Sequence, residues 1–598
     1  MRLPSLCLSM PALAAALAVA APAHAGEPAA PVAAAVPAAP AAAVPPRLIV
    51  AISVDQFSAA PVHAEEPAAA PAAAPAAPVA AVPPRLIVAI SVDQFSADLF
   101  AQYREHYSKG LARLLQGAVF PSGFQSHAAT ETCPGHSTLL TGVHPARTGI
   151  VANSWYDPAI DRDVYCAENE RDPQGTAKDP VISPDHLKAP TLGDLLKRKD
   201  PASLNVAVSA KDRAAVMMSG HAADAVYWFK GKGFTSYPGR PLSPAAQAAN
   251  AALGQVVQAG AGALPVPDWC AAHDRALPLG NFSIGTFRFP LKPGGFSDFN
   301  RSPRMDAATA DLAIRLLDEV PLGRDAVPDV FSVSFSATDY VGHAYGNQGV
   351  EMCIQMAQLD QAIGQLLDAL DARGLDYAVV LTADHGGPDA PERLRLQGYP
   401  GASRLDPSLT AETLSKAVSR ATGVTAKSGD LLHGAGGSGD IWLAPGLSAK
   451  QRKKVIAALV AQLRANPQVE GVFTADELKT VKVPSGDPQD WTMIQRVAAS
   501  FDPQRSGEVL MMTRRAVVPG TAPQPGYTST HGSPWDYDRR VPMLFWRKGM
   551  AAQELAQPVE TVDIAPTLAA MVGLTAPAGT WDGRCLDIDG SEADSCAR

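Results

Sequence analysis

The sequence has few charged residues and no long block of one sign. Charged residues make up 18% of its 598 residues, and the formal net charge is −9. A basic face that binds nucleic acid is therefore not expected. Apolar residues, at 47%, exclude a wholly disordered chain and a coiled coil. The length indicates one large domain with insertions or several small domains.

The start of the chain has no uninterrupted apolar run that could span a membrane. The apolar stretch at residues 3–21 follows Arg2, contains two prolines and leads to Ala-His-Ala at 23–25. Small residues in this spacing are those that a signal peptidase reads. We predict a signal peptide at residues 1–25 and a mature protein in the periplasm or outside the cell. The alternative is a membrane anchor, for which the run is short.

Cysteine is scarce, with seven in the whole chain. Cys7 is lost with the signal peptide, so six remain, and an oxidising compartment permits up to three disulfides. Cys585 and Cys596 are the one pair that we predict, because they lie close together in the sequence.

Residues 26–82 form a linker dominated by alanine and proline, a composition that does not build a core. Residues 45–59 within it read PPRLIVAISVDQFSA, and residues 83–97 repeat that string letter for letter. The second copy continues into a helical pattern, whereas the first returns to linker. We therefore predict that Asp93 is functional and that Asp55 is its unused duplicate.

After the linker, short β-branched runs alternate with helical patterns. This alternation is typical of a doubly wound α/β fold, a mostly parallel sheet with helices on both faces. We predict one such domain at 83–598, with a Gly/Pro/Ala-rich stretch at about 229–300 as a cap insertion. The predicted strands are 85–92, 204–210, 330–337, 377–383 and 541–546, and the predicted helices are 307–319, 351–372, 449–465 and 563–571.

Charged and imidazole side chains directly follow four of the predicted strands. In open α/β sheets the ligand crevice lies beyond the carboxyl ends of the strands, so these side chains should meet. One aspartate at such a position is more often a helix cap, but four strand ends make coincidence a poor explanation. The residues are Asp93 after the first strand, Lys211 and Arg213 after the second, Asp339 and His343 after the third, and Asp384 and His385 after the fourth.

Two further segments carry candidate residues. Thr132 precedes Pro134 in the segment 128–142, at the point where a helix begins. The unpaired amides and positive dipole end of a helix favour an anionic oxygen there. Taken alone, Thr132 is more simply a helix cap, and His531 is an ordinary loop histidine.

Together these segments resemble the alkaline phosphatase superfamily, in its branch of type I phosphodiesterases and nucleotide pyrophosphatases. Within that branch they are most similar to the periplasmic zinc alkaline phosphatases with a threonine nucleophile. The strings extend from residue 91 to residue 569, nearly the whole predicted domain. In chain order they are SVDQF, ATETCPGHSTLLTG, GIVANSWYD, SAKDR, SATDYVGHAYG, LTADHGG, STHGSPWDYDRRVPML and VDIAPTLA.

The resemblance implies two Zn²⁺ ions per chain and a covalent mechanism. Imidazole and carboxylate suit Zn²⁺, and three protein ligands leave an open catalytic position. Thr132 is implied to attack the phosphoryl group, giving a phosphothreonine intermediate that water then hydrolyses. The implied ligands are Asp339, His343 and His531 for one ion, and Asp93, Asp384, His385 and the Thr132 oxygen for the other.

The resemblance also implies which ester is hydrolysed. Asn153, Lys211 and Arg213 correspond to residues that bind the oxygens of a phosphate monoester in the family. A diester carries one charge fewer, so a cationic pair favours small-molecule monoesters. We predict an exported alkaline phosphatase, a monomer or weak oligomer without a nucleic-acid partner. The alternatives are a phosphodiesterase or nucleotide pyrophosphatase on the same site, and an inactive binding protein on the same fold.

We predict no role in metal binding or catalysis for Cys133 and His136, which lie close to Thr132 in the sequence. Cys133 begins Cys-Pro-Gly-His, which lacks the C-x-P-x-R pattern of sulfatases, so a sulfatase is excluded. His136 is expected to order the turn rather than to bind metal.

Overall fold

The structure is a computed structural model. The predicted signal peptide, most of the linker, and the first repeat copy with Asp55 lie outside the residues that it describes. The described residues are 82–427, 429–434, 439–588 and 595–597.

A nine-stranded sheet forms the centre of the described chain. Its middle strands are parallel, while β18 (Arg540–Arg547) runs antiparallel to both of its neighbours and β7 (Gly233–Thr235) runs antiparallel to β6 (Ala225–Lys230). The predicted mostly parallel α/β sheet is confirmed. In spatial order the strands are β19 (Gln553–Glu554), β2 (Ala118–Phe124), β18 (Arg540–Arg547), β11 (Tyr377–Thr382), β1 (Leu86–Val92), β10 (Asp329–Phe335), β5 (Asn205–Ser209), β6 (Ala225–Lys230) and β7 (Gly233–Thr235).

The central strand β1 is buried on both faces. Leu86, Val88 and Ile90 pack into one core, and the alternate residues Ile87 and Ala89 pack into another. Successive side chains of a strand point to opposite faces, so a continuous apolar run such as LIVAISV requires cover on both sides.

Helices provide that cover. All four predicted helices are present, as α9 (Arg304–Glu319), α11 (Val350–Ala372), α14 (Ala449–Ala465) and α18 (Ile564–Met571). The predicted bounds of α14 match those of the structure. Within the described residues, no helix has both the length and the apolar character needed to cross a bilayer. The helices are α1 (Ala97–Tyr103), α2 (Gly110–Leu114), α3 (Thr132–Thr141), α4 (Pro145–Thr148), α5 (Leu192–Lys199), α6 (Asp212–Ser219), α7 (Pro244–Ala259), α8 (Phe296–Asn300), α9 (Arg304–Glu319), α10 (Ala337–Tyr345), α11 (Val350–Ala372), α12 (Pro391–Leu396), α13 (Ala411–Thr422), α14 (Ala449–Ala465), α15 (Ala475–Leu478), α16 (Met493–Ala498), α17 (Asp536–Arg539) and α18 (Ile564–Met571).

A second, four-stranded antiparallel sheet has a core of its own. Leu414 of α13 and Leu459 of α14 pack with Ile441 and Met511 of the sheet. The sequence patterns did not predict this unit. Its strands, in spatial order, are β13 (Leu432–Gly434), β14 (Asp440–Leu443), β16 (Val509–Thr513) and β15 (Val469–Thr474).

Three two-stranded ribbons complete the strands of the described chain. One of them, the hairpin of β3 and β4, begins one residue after Asn153. The ribbons are β3 (Ser154–Asp157) with β4 (Arg162–Tyr165), β8 (Leu277–Leu279) with β9 (Phe282–Ile284), and β12 (Ser403–Arg404) with β17 (Val517–Val518).

The segment 229–300 begins with the end of β6 and the edge strand β7 of the main sheet, and its later part packs on one face of that sheet. Its helix α7 lies against α9, and Phe234, Leu253 and Val257 belong to the core on that face. A disulfide between Cys270 and Cys353 joins the segment to α11. Its role as a cap over the crevice stays a prediction.

All six cysteines outside the predicted signal peptide form disulfides. The predicted pair Cys585–Cys596 is confirmed. The other two bonds are Cys270–Cys353 and Cys133–Cys166. The Cys133–Cys166 bond joins the residue after Thr132 to the residue after the last residue of β4.

Candidate active site

The predicted metal ligands meet at one edge of the main sheet. Strands β10, β1 and β11 are adjacent and parallel, so the residues that follow them share the carboxyl edge. His385 Nε2 lies 3.6 Å from Asp93 Oδ1 and 3.4 Å from Asp384 Oδ2. His531, from the loop before α17, completes the set, with Nε2 3.4 Å from Asp339 Oδ1.

Two overlapping groups of ligand atoms could each hold a metal ion. Asp93, Asp384 and His385 form one group and Asp339, His385 and His531 form the other, each with ligand atoms within 4.8 Å of one another. The first group contains the three side chains that, together with the Thr132 oxygen, were predicted for one ion. His343, predicted for the other ion, has Nε2 3.2 Å from Asp339 Oδ1. The division of six ligands between two ions stays a prediction.

Backbone carbonyls orient the three histidines. If Nδ1 carries the proton and donates to the carbonyl, the Nε2 lone pair is free to bind a metal, as in metal-binding histidines generally. Burial lowers the pKa of His385 to about 3, so this ring is neutral at physiological pH. The Nδ1 contacts are His343 with Ser529 O at 2.8 Å, His385 with Gly386 O at 2.8 Å and His531 with Thr130 O at 2.7 Å.

The carboxylates are crowded and buried. Burial raises the pKa of Asp93 well above its ordinary value, and the nearby charges of Asp339 and Asp384 raise it further. Among the described residues, Asp93 Oδ1, Asp339 Oδ1 and His385 Nε2 are buried without a hydrogen-bond partner. Buried polar atoms of this kind are normally paired or bound to metal. The donor set of carboxylate and imidazole fits Zn²⁺.

Thr132 lies beside this cluster as the first residue of α3. The residue that caps the helix is Glu131, so Thr132 lies one position further into the helix than the sequence predicted. Its Oγ1 is 3.4 Å from both Lys211 Nζ and Arg213 Nη2. The candidate nucleophile therefore lies between two cations at the positive end of a helix dipole.

Lys211 connects the nucleophile with both parts of the ligand cluster. Its Nζ lies 2.6 Å from Asp93 Oδ2 and 2.5 Å from Asp339 Oδ2. Burial disfavours its charge, but Asp339 and Asp93 outweigh that effect, so the pKa of Lys211 is raised. The side chain remains protonated at alkaline pH.

The turn that carries Thr132 comes very close to the end of β11. A Cβ atom on Gly135 would lie 2.0 Å from the backbone oxygen of Asp384, so only glycine fits there. His136 Nδ1 lies 2.9 Å from Thr132 O and 3.0 Å from Asp384 Oδ2. His136 thus contacts both the turn and a candidate metal ligand, and its expected role in ordering the turn stays a prediction.

Asn153 contacts both residues that flank Thr132. Its Oδ1 accepts a hydrogen bond from Cys133 N at 2.8 Å, and its own N–H donates to Glu131 Oε2 at 2.6 Å. All three predicted substrate-binding residues thus lie around the candidate nucleophile.

Comparison with known proteins shows which family this chain belongs to. A model of the type I phosphodiesterase / nucleotide pyrophosphatase family matches residues 87–534. The chain belongs to this family. The family lies within the predicted alkaline phosphatase superfamily, so the resemblance is confirmed.

Three members and neighbours of the family match most of the chain. The alkaline phosphatase PhoK of Sphingomonas sp is 47% identical over 560 residues, 92% of this chain and 93% of PhoK. The alkaline phosphatase PhoD of Zymomonas mobilis is 42% identical over 558 residues, 92% of this chain and 89% of PhoD. The crystal structure of the alkaline phosphatase PafA has a TM-score of 0.74 and 25% identity, covering 86% of this chain and 100% of PafA.

Two supporting residues of this family member were not found from the sequence. Gln94 is a non-glycine residue with φ +64°, and its backbone N–H donates to Asp384 Oδ1 at 3.1 Å. Asp306 of α9 accepts from the N–H of Ala337, the first residue of α10, at 2.9 Å. Burial raises the pKa of Asp306 to about 6. Neither contact follows from a motif or from sequence spacing.

Proposed function

We propose that this protein is an exported alkaline phosphatase that hydrolyses phosphate monoesters through a phosphothreonine intermediate. The observation that carries the proposal is the meeting of Thr132, a carboxylate–imidazole cluster and two cations at one sheet edge. The similarity to PhoK and PhoD, both alkaline phosphatases, supports the same activity for this chain.

Two Zn²⁺ ions per chain are part of the proposal. Buried, unpartnered carboxylate and imidazole atoms support binding of divalent ions at this cluster. Bound there, such ions supply Lewis acidity to both the attacking and the leaving oxygen of a displacement at phosphorus. Asp93, Asp384 and His385, with the Thr132 oxygen, would hold one ion, and Asp339, His343 and His531 would hold the other.

Thr132 carries the covalent chemistry. Its Oγ1 gives up its proton to the solvent and forms a bond to phosphorus while the bond from phosphorus to the alcohol oxygen breaks, and that oxygen takes up a proton to leave as the alcohol. Water then attacks the phosphorus, the Thr132–phosphate bond breaks, and phosphate leaves with the hydroxyl restored. The amides at the start of α3 face the developing negative charge, which lowers its energy.

Lys211, Arg213 and Asn153 bind the nonbridging oxygens in this proposal. A monoester presents one more charged oxygen than a diester, so two cations beside the nucleophile stabilise it more. The proposed preference is therefore for monoesters.

Export is supported by the signal-like sequence at residues 1–25 and by three disulfides, which persist in oxidising compartments. A monomer or weak oligomer is proposed.

The test compares two dye substrates. Purified protein with added Zn²⁺ is assayed at alkaline pH on p-nitrophenyl phosphate and on bis(p-nitrophenyl) phosphate. We expect a higher kcat/KM for the monoester. A higher kcat/KM for the diester would favour the phosphodiesterase alternative, and no release of p-nitrophenol from either substrate would favour an inactive binding protein.

A further inference from the structure

The hairpin of β3 and β4 is attached to the nucleophile turn at two points. A disulfide joins Cys166, directly after β4, to Cys133, the neighbour of Thr132. Asn153, directly before β3, accepts a hydrogen bond at Oδ1 from Cys133 N at 2.8 Å, and its backbone O accepts from the N–H of Cys166 across the open end of the hairpin at 3.0 Å. The last residue of β4, Tyr165, is therefore held close to the candidate phosphate site.

The hydroxyl of Tyr165 lies between Asp212 and Arg213. It donates to Asp212 Oδ1 at 2.5 Å and accepts from Arg213 Nη1 at 3.5 Å. The other terminal nitrogen of the guanidinium, Nη2, lies 3.4 Å from Thr132 Oγ1. One nitrogen of Arg213 is thus held by Tyr165 while the other lies beside the nucleophile.

This hydroxyl holds Arg213 without neutralising its charge. In the described part of the chain, Arg213 Nε is buried without a hydrogen-bond partner, so few contacts fix this side chain. Burial raises the pKa of Tyr165, so the hydroxyl stays protonated at alkaline pH. A neutral acceptor leaves the positive charge of Arg213 available to an anion, which a direct carboxylate pair would reduce.

We propose that Tyr165 is a positioning residue that fixes Arg213 against the additional charged oxygen of a phosphate monoester. Tyr165 thereby contributes to the choice of monoesters over diesters. The inference rests on the proposed function, because it assumes that Arg213 binds a nonbridging oxygen.

The first test is Tyr165→Phe, which removes the hydroxyl and keeps the ring beside the disulfide. We expect KM for p-nitrophenyl phosphate and the inhibition constant of inorganic phosphate to rise about tenfold, the size of one hydrogen bond to a charged group. Values of kcat/KM for bis(p-nitrophenyl) phosphate should stay the same. The matched control is Tyr156→Phe on the same hairpin, whose hydroxyl donates to Asp161 Oδ1 at 2.5 Å. That variant should keep the wild-type ratio of the two efficiencies.

A double mutant separates this inference from the proposed function. If Tyr165 acts through Arg213, the Tyr165→Phe/Arg213→Ala variant should have the same substrate ratio as Arg213→Ala alone. Additive losses, or equal losses on both substrates in Tyr165→Phe, would overturn the positioning role while leaving Arg213 in place. An unchanged ratio in Arg213→Ala would instead overturn the proposed phosphate contact, and the inference with it.

Discussion

The candidate metal ligands and the proposed phosphate-binding residues lie side by side but are held in different ways. We call the first set the metal-ligand group (Asp93, Asp339, His343, Asp384, His385 and His531) and the second the anion-binding group (Asn153, Lys211 and Arg213). Asp93, Asp339 and Asp384 come from chain that directly follows central strands, and backbone carbonyls fix the histidines. Arg213 also follows a strand, β5, but its guanidinium contacts Tyr165 of the hairpin of β3 and β4. Asn153 directly precedes that hairpin, which a disulfide joins to the residue after Thr132. If the proposed roles are right, the chemistry shared by all phosphate esters depends on the sheet edge, whereas the choice of ester depends in part on contacts from the hairpin.

The largest expected effect is removal of metal. Dialysis against a chelator should lower activity on the monoester and on the diester by at least about a thousandfold, because ion-stabilised charge is needed for both. Zn²⁺ should restore both activities. Both activities and the metal content, by elemental analysis, are measured before and after dialysis. Undiminished activity in protein shown to be metal-free would contradict the account.

Thr132→Ala should have nearly as large an effect, again on both esters. We expect a loss of about a thousandfold or more, since removal of a nucleophile eliminates the covalent route. Bound metal should remain close to the wild-type amount, because six other side chains form the cluster. Acid-quenched wild-type protein should carry a phosphate on Thr132 by mass spectrometry, and a variant with near-wild-type activity would refute the assignment.

The meeting of the candidate ligands Asp93, Asp339, Asp384 and His385 could be predicted because these residues follow strands of the sheet. His531 follows no predicted strand and was singled out only through the family resemblance. Asp93 directly follows β1, and parallel strands end at a common edge, so a run of apolar residues is enough to place it. Tyr165 and Asp306 could not be predicted. Their partners lie 47 and 31 residues away in the sequence, and no local pattern connects them.

The strands of the second sheet and strand β2 were not predicted, because their local sequences lack a clear strand pattern. The strands of the second sheet are short, and their spatial order does not follow the chain. Strand β2 contains Pro121 and Gly123, which favour a turn. In the structure, the pairing of β2 with β18 is irregular between Val541 and Met543. Proline lacks a donor for the ladder, and such an irregularity accommodates it.

A smaller, pH-dependent effect concerns the free energy of unfolding of the whole domain, and it should not distinguish the metal-ligand group from the anion-binding group. Although burial opposes the charge of His144, Asp582 and Glu560 raise its pKa from 6.5 to about 9. Protonated His144 therefore adds about 3 kcal/mol to the free energy of unfolding. This contribution is complete below pH 6.5 and is lost as the pH rises through about 9. Urea unfolding at pH 6.5 and pH 9.5 should therefore show a larger decrease for wild type than for His144→Gln.

The ratio of monoester to diester efficiency should stay the same in His144→Gln, because His144 contacts neither group. Equal pH dependence of unfolding in wild type and variant would show that His144 contributes no such stability.

The smallest expected effect is that of deleting residues 27–65, which removes the first repeat copy and keeps the second. Both activities should remain near the wild-type value, because β1 and Asp93 belong to the copy that the sheet contains. An inactive but folded product would mean that the first copy supplies the functional strand.

The most direct test of the central comparison is kcat/KM on p-nitrophenyl phosphate and bis(p-nitrophenyl) phosphate for wild type and Arg213→Ala, with bound metal measured in both. The account predicts that the monoester-to-diester ratio falls by about a hundredfold, the usual cost of one lost charge-stabilising contact, while metal content is unchanged. An unchanged ratio, or a loss of metal that lowers both activities together, would contradict the separation of the two groups.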